Sequence, residues 1–131
     1  MNKTRYVLIA NSGFMVHNFR YEILQALVHK FPNVTVAARP DNYLEKLKKD
    51  PNFNNVEFLS LPSKGSGTLI AYISVYILTF YSVCKIISRY KADVLLTYTP
   101  EINFYVLCFS MVQKIHWYPN ISGRGKYFSN V

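Results

Sequence analysis

Residues 6–20 read Tyr-Val-Leu-Ile-Ala-Asn-Ser-Gly-Phe-Met-Val-His-Asn-Phe-Arg, and their reading decides the fold. The run 6–10 is apolar on every residue, as in a parallel strand covered on both faces. It stops at the small polar turn Asn11-Ser12-Gly13, and a helical pattern follows, for which Asn18 is the predicted N-cap. Strand, glycine turn and helix start form the junction that binds ligands at the carboxyl edge of open α/β sheets. Ser12 and Gly13 could present backbone N–H groups to a phosphate at the helix start, or could simply form the turn.

Working outward, Ile23, Leu24, Leu27 and Val28 recur at helical spacing up to Pro32, and 33–38 (Asn-Val-Thr-Val-Ala-Ala) reads as a second strand. Asp41 is placed to cap a short helix through Leu44 and Leu47, and 56–61 reads as a third strand. Residues 63–67 (Ser-Lys-Gly-Ser-Gly) are linker-like. Residues 93–97 form a fourth strand, 101–113 an apolar helix with Glu101 in its first turn, and 115–118 a short fifth strand. Strands alternating with helices predict a single α/β domain, Rossmann-like and doubly wound, with parallel strand order 3-2-1-4-5. Three loops then meet at one edge: 11–17, 98–103 and 120–125.

The segment 68–90 is ambiguous. Residues 65–84, twenty positions between Lys64 and Lys85, carry no charge. That length suits a membrane span. A span here would nevertheless separate strands that must share one sheet. A crossover helix, buried or resting against lipid headgroups, fits better.

Composition narrows the partners. In 131 residues the apolar fraction is 50%, with 11 Tyr and 9 Phe, which excludes a disordered chain. Fifteen Lys and Arg against seven Asp and Glu give a net charge of +8. That excess favours an anionic partner such as a membrane surface or a phosphorylated ligand, or is a solvated basic surface. The basic residues form no continuous run, which argues against nucleic acid. Cys84 and Cys108 lack metal-ligand spacing, so buried reduced thiols are predicted and no metal. The apolar run 6–10 is too short for a signal peptide, and a cytoplasmic location is expected. Neither G-x-G-x-x-G nor a P-loop is present, against a nicotinamide dehydrogenase or an NTPase. His17 could contact a phosphate or act as a base, or be a surface residue. Arg20 could meet an anion, Glu22 or a strand-end carboxylate.

Taken together, Asn11-Ser12-Gly13, Asn18-Phe19-Arg20, 41–47, Ala92-Asp93-Val94-Leu95, Thr97-Tyr98-Thr99 and Asn103 form a pattern over the whole chain. It resembles the N-terminal domain of retaining GT-B glycosyltransferases of family 4, of the bacterial branch that builds lipid-linked oligosaccharides, O-antigens and capsules. The loop Ile121-Ser122-Gly123-Arg124-Gly125 is similar to that family's V-T-G-L-G turn. The resemblance implies the acceptor-side half of a two-domain enzyme, with Ser12, Gly13, His17, Asn18 and Arg20 lining the acceptor and phosphate side of the cleft. Glu101, Asn103, Gly123 and Gly125 would contribute from the other two loops.

No resident cofactor is implied, since the nucleotide-sugar is a substrate. A polyprenyl-linked sugar acceptor and an anionic membrane surface at the inner face of the cell membrane are the implied partners. Many relatives carry a His after the fourth strand, where this chain has Tyr98-Thr99-Pro100-Glu101, so no catalytic residue is assigned. The family's nucleotide-sugar domain, with its E-x7-E motif, is expected to be absent from 1–131. The chain would then be inactive alone: a portion of a longer enzyme, or a non-catalytic acceptor- and membrane-binding subunit completed by a separate donor-binding chain. An unrelated phosphate-binding α/β module is the remaining reading.

Overall fold

The computed structural model of the protein describes residues 4–63 and 67–120. Five strands form one all-parallel sheet: β1 (Arg5–Ser12), β2 (Asn33–Arg39), β3 (Glu57–Ser60), β4 (Val94–Tyr98) and β5 (Trp117–Asn120). Their spatial order is β3-β2-β1-β4-β5, as the sequence predicts. The order reverses between β1 and β4, the switch point of a doubly wound fold.

Alternation along the strands feeds two cores. One face sends Leu8, Ala10, Val34 and Val36 against α1 (Gly13–Phe19), α2 (Tyr21–Lys30) and α3 (Asn42–Lys49), where Val16, Leu24 and Leu47 are buried. The other sends Val7, Ile9, Ala37 and Leu95 against α4 (Leu69–Tyr90) and α5 (Pro100–Ser110) through Val83, Ile86, Ile87, Ile102 and Val106. Both faces of β1 are thus covered, which is why its sequence is a continuous apolar run.

The first helix begins earlier than the predicted cap at Asn18. Ser12 is the N-cap: its backbone is extended and its Oγ accepts from the Met15 N–H at 3.4 Å. Asn18 lies instead in the last turn of α1, and the chain breaks at Arg20 (φ −129°) before α2 starts. The expected helix at Asp41 forms, with Asp41 Oδ1 accepting from Leu44 N at 2.8 Å.

The long crossover helix α4 also differs from a uniformly buried element. Its buried side chains, Thr79, Val83, Ile86 and Ile87, lie in the carboxyl-terminal part, and residues 69–78 include none. With mean hydropathy 1.8 in its most apolar window, α4 is long and apolar enough to cross a membrane. Yet it joins β3 to β4, which belong to the same sheet, so both its ends stay on one side. Residues 64–66 of the predicted linker and the predicted loop 121–125 lie outside the described residues.

Candidate functional site

The carboxyl edge of the sheet is knitted by polar side chains, and its hub is Arg39, the last residue of β2. Its side chain is 7% exposed. Nη2 donates to Glu101 Oε1 at 2.7 Å and to Thr79 Oγ1 at 3.3 Å, while Nη1 donates to Asn11 Oδ1 and to Glu101 Oε2. Nε donates to the Pro62 carbonyl at 3.2 Å. Tyr105 adds an O–H to Glu101 Oε1 at 3.0 Å, and burial together with that carboxylate pushes its phenol well above its ordinary range. One guanidinium thus joins β1, β2, α4, α5 and the segment after β3. A charge so buried is kept only with such a complement of acceptors.

A second clamp lies on the β4 side. Thr97 Oγ1 accepts from Trp117 Nε1 at 2.6 Å and donates to Asn103 Oδ1 at 2.5 Å, and Asn103 Nδ2 donates to the Asn120 carbonyl at 3.0 Å. Asn11 and Glu101 thus meet through Arg39, and Asn103 meets Asn120, the one residue of the predicted loop 120–125 that is described.

The start of α1 is closed by protein groups. Asp41 Oδ2 accepts from Phe14 N at 2.9 Å while its other oxygen caps α3. A Cβ on Gly13 would stand 2.3 Å from Asp41 Oδ1 and 2.4 Å from Leu44 N, so only glycine lets α1 and α3 approach this closely. A carboxylate already occupies the place where a phosphate would meet the first turn of α1.

Arg20 faces the switch point instead. Its guanidinium lies over the Tyr98 ring, 4.6 Å from the centroid, and one Nη donates to the Phe19 carbonyl at 3.2 Å. Its Nε is buried without a partner among the described residues. Thr99, next to Tyr98, also has a buried, unpartnered Oγ1, and its backbone sits at φ 83°, an uncommon conformation for a β-branched residue. Two polar groups flanking the end of β4 are thus buried and unpartnered among the described residues.

His17 and Asn18 turn elsewhere. His17 Nδ1 meets Asn18 Oδ1 at 3.1 Å, and its ring packs near Tyr43 and Tyr21, with centroids 5.3 and 6.0 Å away. Beside them Tyr21 donates its O–H to Asp50 at 2.5 Å, holding that carboxyl below its ordinary value. Of the predicted residues, then, Arg20, Glu101 and Asn103 contact the strand ends. Ser12 and Gly13 make the turn, His17 and Asn18 lie on the α1–α3 side, and Gly123 and Gly125 fall outside the described residues. Sequence reading did not name Arg39, and it gave Asn11, Asp41 and Thr99 only as turn, cap and pattern residues rather than site residues. A lone Arg ending the run Val-Thr-Val-Ala-Ala was the available signal, since a charge closing a buried strand needs a partner.

No protein-family model matches the sequence, and a search of curated proteins gives no significant match. Solved structures do match. The C-terminal domain of a hydrogenase from Pyrococcus furiosus aligns over 92% of this chain and 94% of its own, with TM-score 0.64 and 14% identity. MurG from Acinetobacter baumannii aligns over 97% of this chain and 39% of its own, also with TM-score 0.64 and 14% identity. The glycotransferase of kitacinnamycin follows with TM-score 0.61 and 14% identity over 92% and 31%. The shared property is the Rossmann-like α/β fold, which a glycotransferase and a hydrogenase domain both use. This chain spans only 39% of the length of MurG and 31% of that of the kitacinnamycin glycotransferase.

Proposed function

We propose that the chain is the acceptor-side half of a retaining, family 4-like glycosyltransferase. With a donor-binding half it moves a sugar from a nucleotide-sugar to a polyprenyl-diphosphate-linked saccharide at the inner face of the cell membrane. The observation that carries this reading is the pair of buried polar groups at the end of β4, Arg20 Nε and Thr99 Oγ1, that have no partner among the described residues. They suit an oxygen-rich, anionic group arriving at the carboxyl edge.

Arg20 is the anion contact in this reading, Ser12 and Gly13 make the turn, and His17 and Asn18 stand apart on the α1–α3 side. Glu101 and Asn103 hold the β4–α5 loop in place. The membrane part is supported by the exposed apolar stretch of α4 together with α5, where Leu69, Ile70, Ile77, Phe104 and Leu107 stand in solvent. Exposed Lys85, Arg89, Lys91 and Lys114 and the net charge of +8 supply attraction to anionic lipid.

Calorimetry with a short-chain prenyl diphosphate tests the site. Saturable binding, weakened at least tenfold by Arg20→Ala, is the expected result. Tight nucleotide binding by the chain with no response to prenyl diphosphate would point to a generic phosphate-binding module instead.

A further inference from the structure

α4 and α5 lie side by side with an apolar groove between them. Tyr76, Ile77, Phe80, Phe104, Tyr105 and Cys108 line a hollow of about 290 Å³. A second hollow of about 500 Å³ shares Tyr76, Phe104 and Tyr105 and reaches Pro100 and Glu101 at the carboxyl edge of the sheet. The lining is stiff: Phe80 packs edge-on against Tyr105 at 5.7 Å, and Tyr105 is held by its hydrogen bond to Glu101. Phe104, by contrast, is 62% exposed and forms the outer lip.

We propose that this groove takes one hydrocarbon chain of the lipid that the protein works on, drawn from the bilayer, with its head end toward Glu101. The inference rests on the membrane-acceptor reading above and adds a seat for the acceptor's tail. Three features select a single chain as the occupant. The groove is continuous with the exposed apolar stretch of α4, which lies within the twenty uncharged positions and would rest on the membrane. Its two hollows, of about 290 and 500 Å³, are shallow and open along one side, a shape that suits an extended chain lying along α4. Its mouth opens at the carboxyl edge of the sheet, the edge where Arg20 stacks on Tyr98 from the other face, so a tail in the groove would leave its head at that edge.

The test uses a C15 prenyl alcohol, which has the chain and no diphosphate, below its micelle concentration and without vesicles. Calorimetry should show saturable one-to-one binding, and Phe104→Glu, at an exposed position, should weaken it at least tenfold. The double variant Ile70→Ser/Ile73→Ser, outside the groove, should leave prenyl alcohol binding unchanged while lowering vesicle flotation. Non-saturable uptake, or equal weakening in both variants, would overturn the groove. If prenyl diphosphate still binds through Arg20 while the alcohol does not, the groove is wrong and the acceptor reading stands. Sedimentation showing a dimer that Phe104→Glu dissociates would mean that a second copy covers the groove, and would also overturn it.

Discussion

Arg39 and Glu101 are an ion pair whose value lies in being complete. Each partner satisfies the other in a place that water scarcely reaches, so removing one leaves an uncompensated charge. Glu101→Ala should destabilise the fold by about 3–5 kcal/mol in urea unfolding, with Arg39 still buried. The double replacement Arg39→Met/Glu101→Leu should restore much of that loss, because no charge is then stranded. A single variant within about 1 kcal/mol of the parent would show that the carboxylate is dispensable there.

Asp50 offers a second residue-scale prediction. The Tyr21 O–H, then the Asn52 N–H, favour its charged form and lower its pKa in the fold. That contribution is complete above the unfolded carboxylate value of about 3.9 and fades as the pH falls through the lower folded value. Tyr21→Phe should therefore move the Asp50 titration upward toward the ordinary range, read by NMR of its carboxyl carbon. An unmoved midpoint would assign the shift to other groups.

Among the elements, α1 and α3 are joined at their amino ends by one carboxylate and one missing Cβ. Asp41→Ala removes the α3 cap and the bond to Phe14 N of α1, whose own cap Ser12 remains, so the expected loss is about 1–2 kcal/mol. Gly13→Ala should cost about 1–3 kcal/mol through overpacking, since its Cβ would meet backbone as well as side-chain atoms. Thermal melts of both variants separate the two effects.

This junction also marks where sequence reading stops. Asp41 was legible as a cap because it stands just ahead of an apolar-periodic segment. That the same carboxylate reaches Phe14, 27 residues away, was not legible. Nor was the true start of α1. Asn18 and Ser12 are both good caps, and the choice was made by Val16 packing into the core and by Arg20 stacking on Tyr98.

At the scale of the whole molecule, periodicity carried the topology. The continuous apolar run of β1 and the alternation of strands with helices point to the sheet order, although α1 starts earlier than its pattern suggests and β5 lies at Trp117–Asn120 rather than 115–118. The site was less legible because its parts are long-range. Arg39, Thr79 and Glu101 come together only through the fold, and Arg20 acquires its open Nε from a tertiary stacking contact. The charge distribution yields a prediction at this scale: flotation with anionic vesicles should exceed that with neutral ones. It should weaken as salt rises from 0.1 to 1 M, over which the screening length falls from about 10 to 3 Å. Equal flotation on both vesicle types would remove the electrostatic part of the membrane proposal.

The Arg39 hub has a consequence for the order in which the domain can be assembled. β2 supplies the cation early in the chain, but its carboxylate arrives 62 residues later, on α5. A nascent chain that has emerged only through α4 holds an arginine that cannot leave water without a large penalty. The end of β2 therefore stays hydrated until α5 docks, and α5 seals the first two strands. During synthesis the three-strand half is not a stable stopping point. Amide exchange at the end of β2 and within α5 should accordingly occur in one cooperative opening.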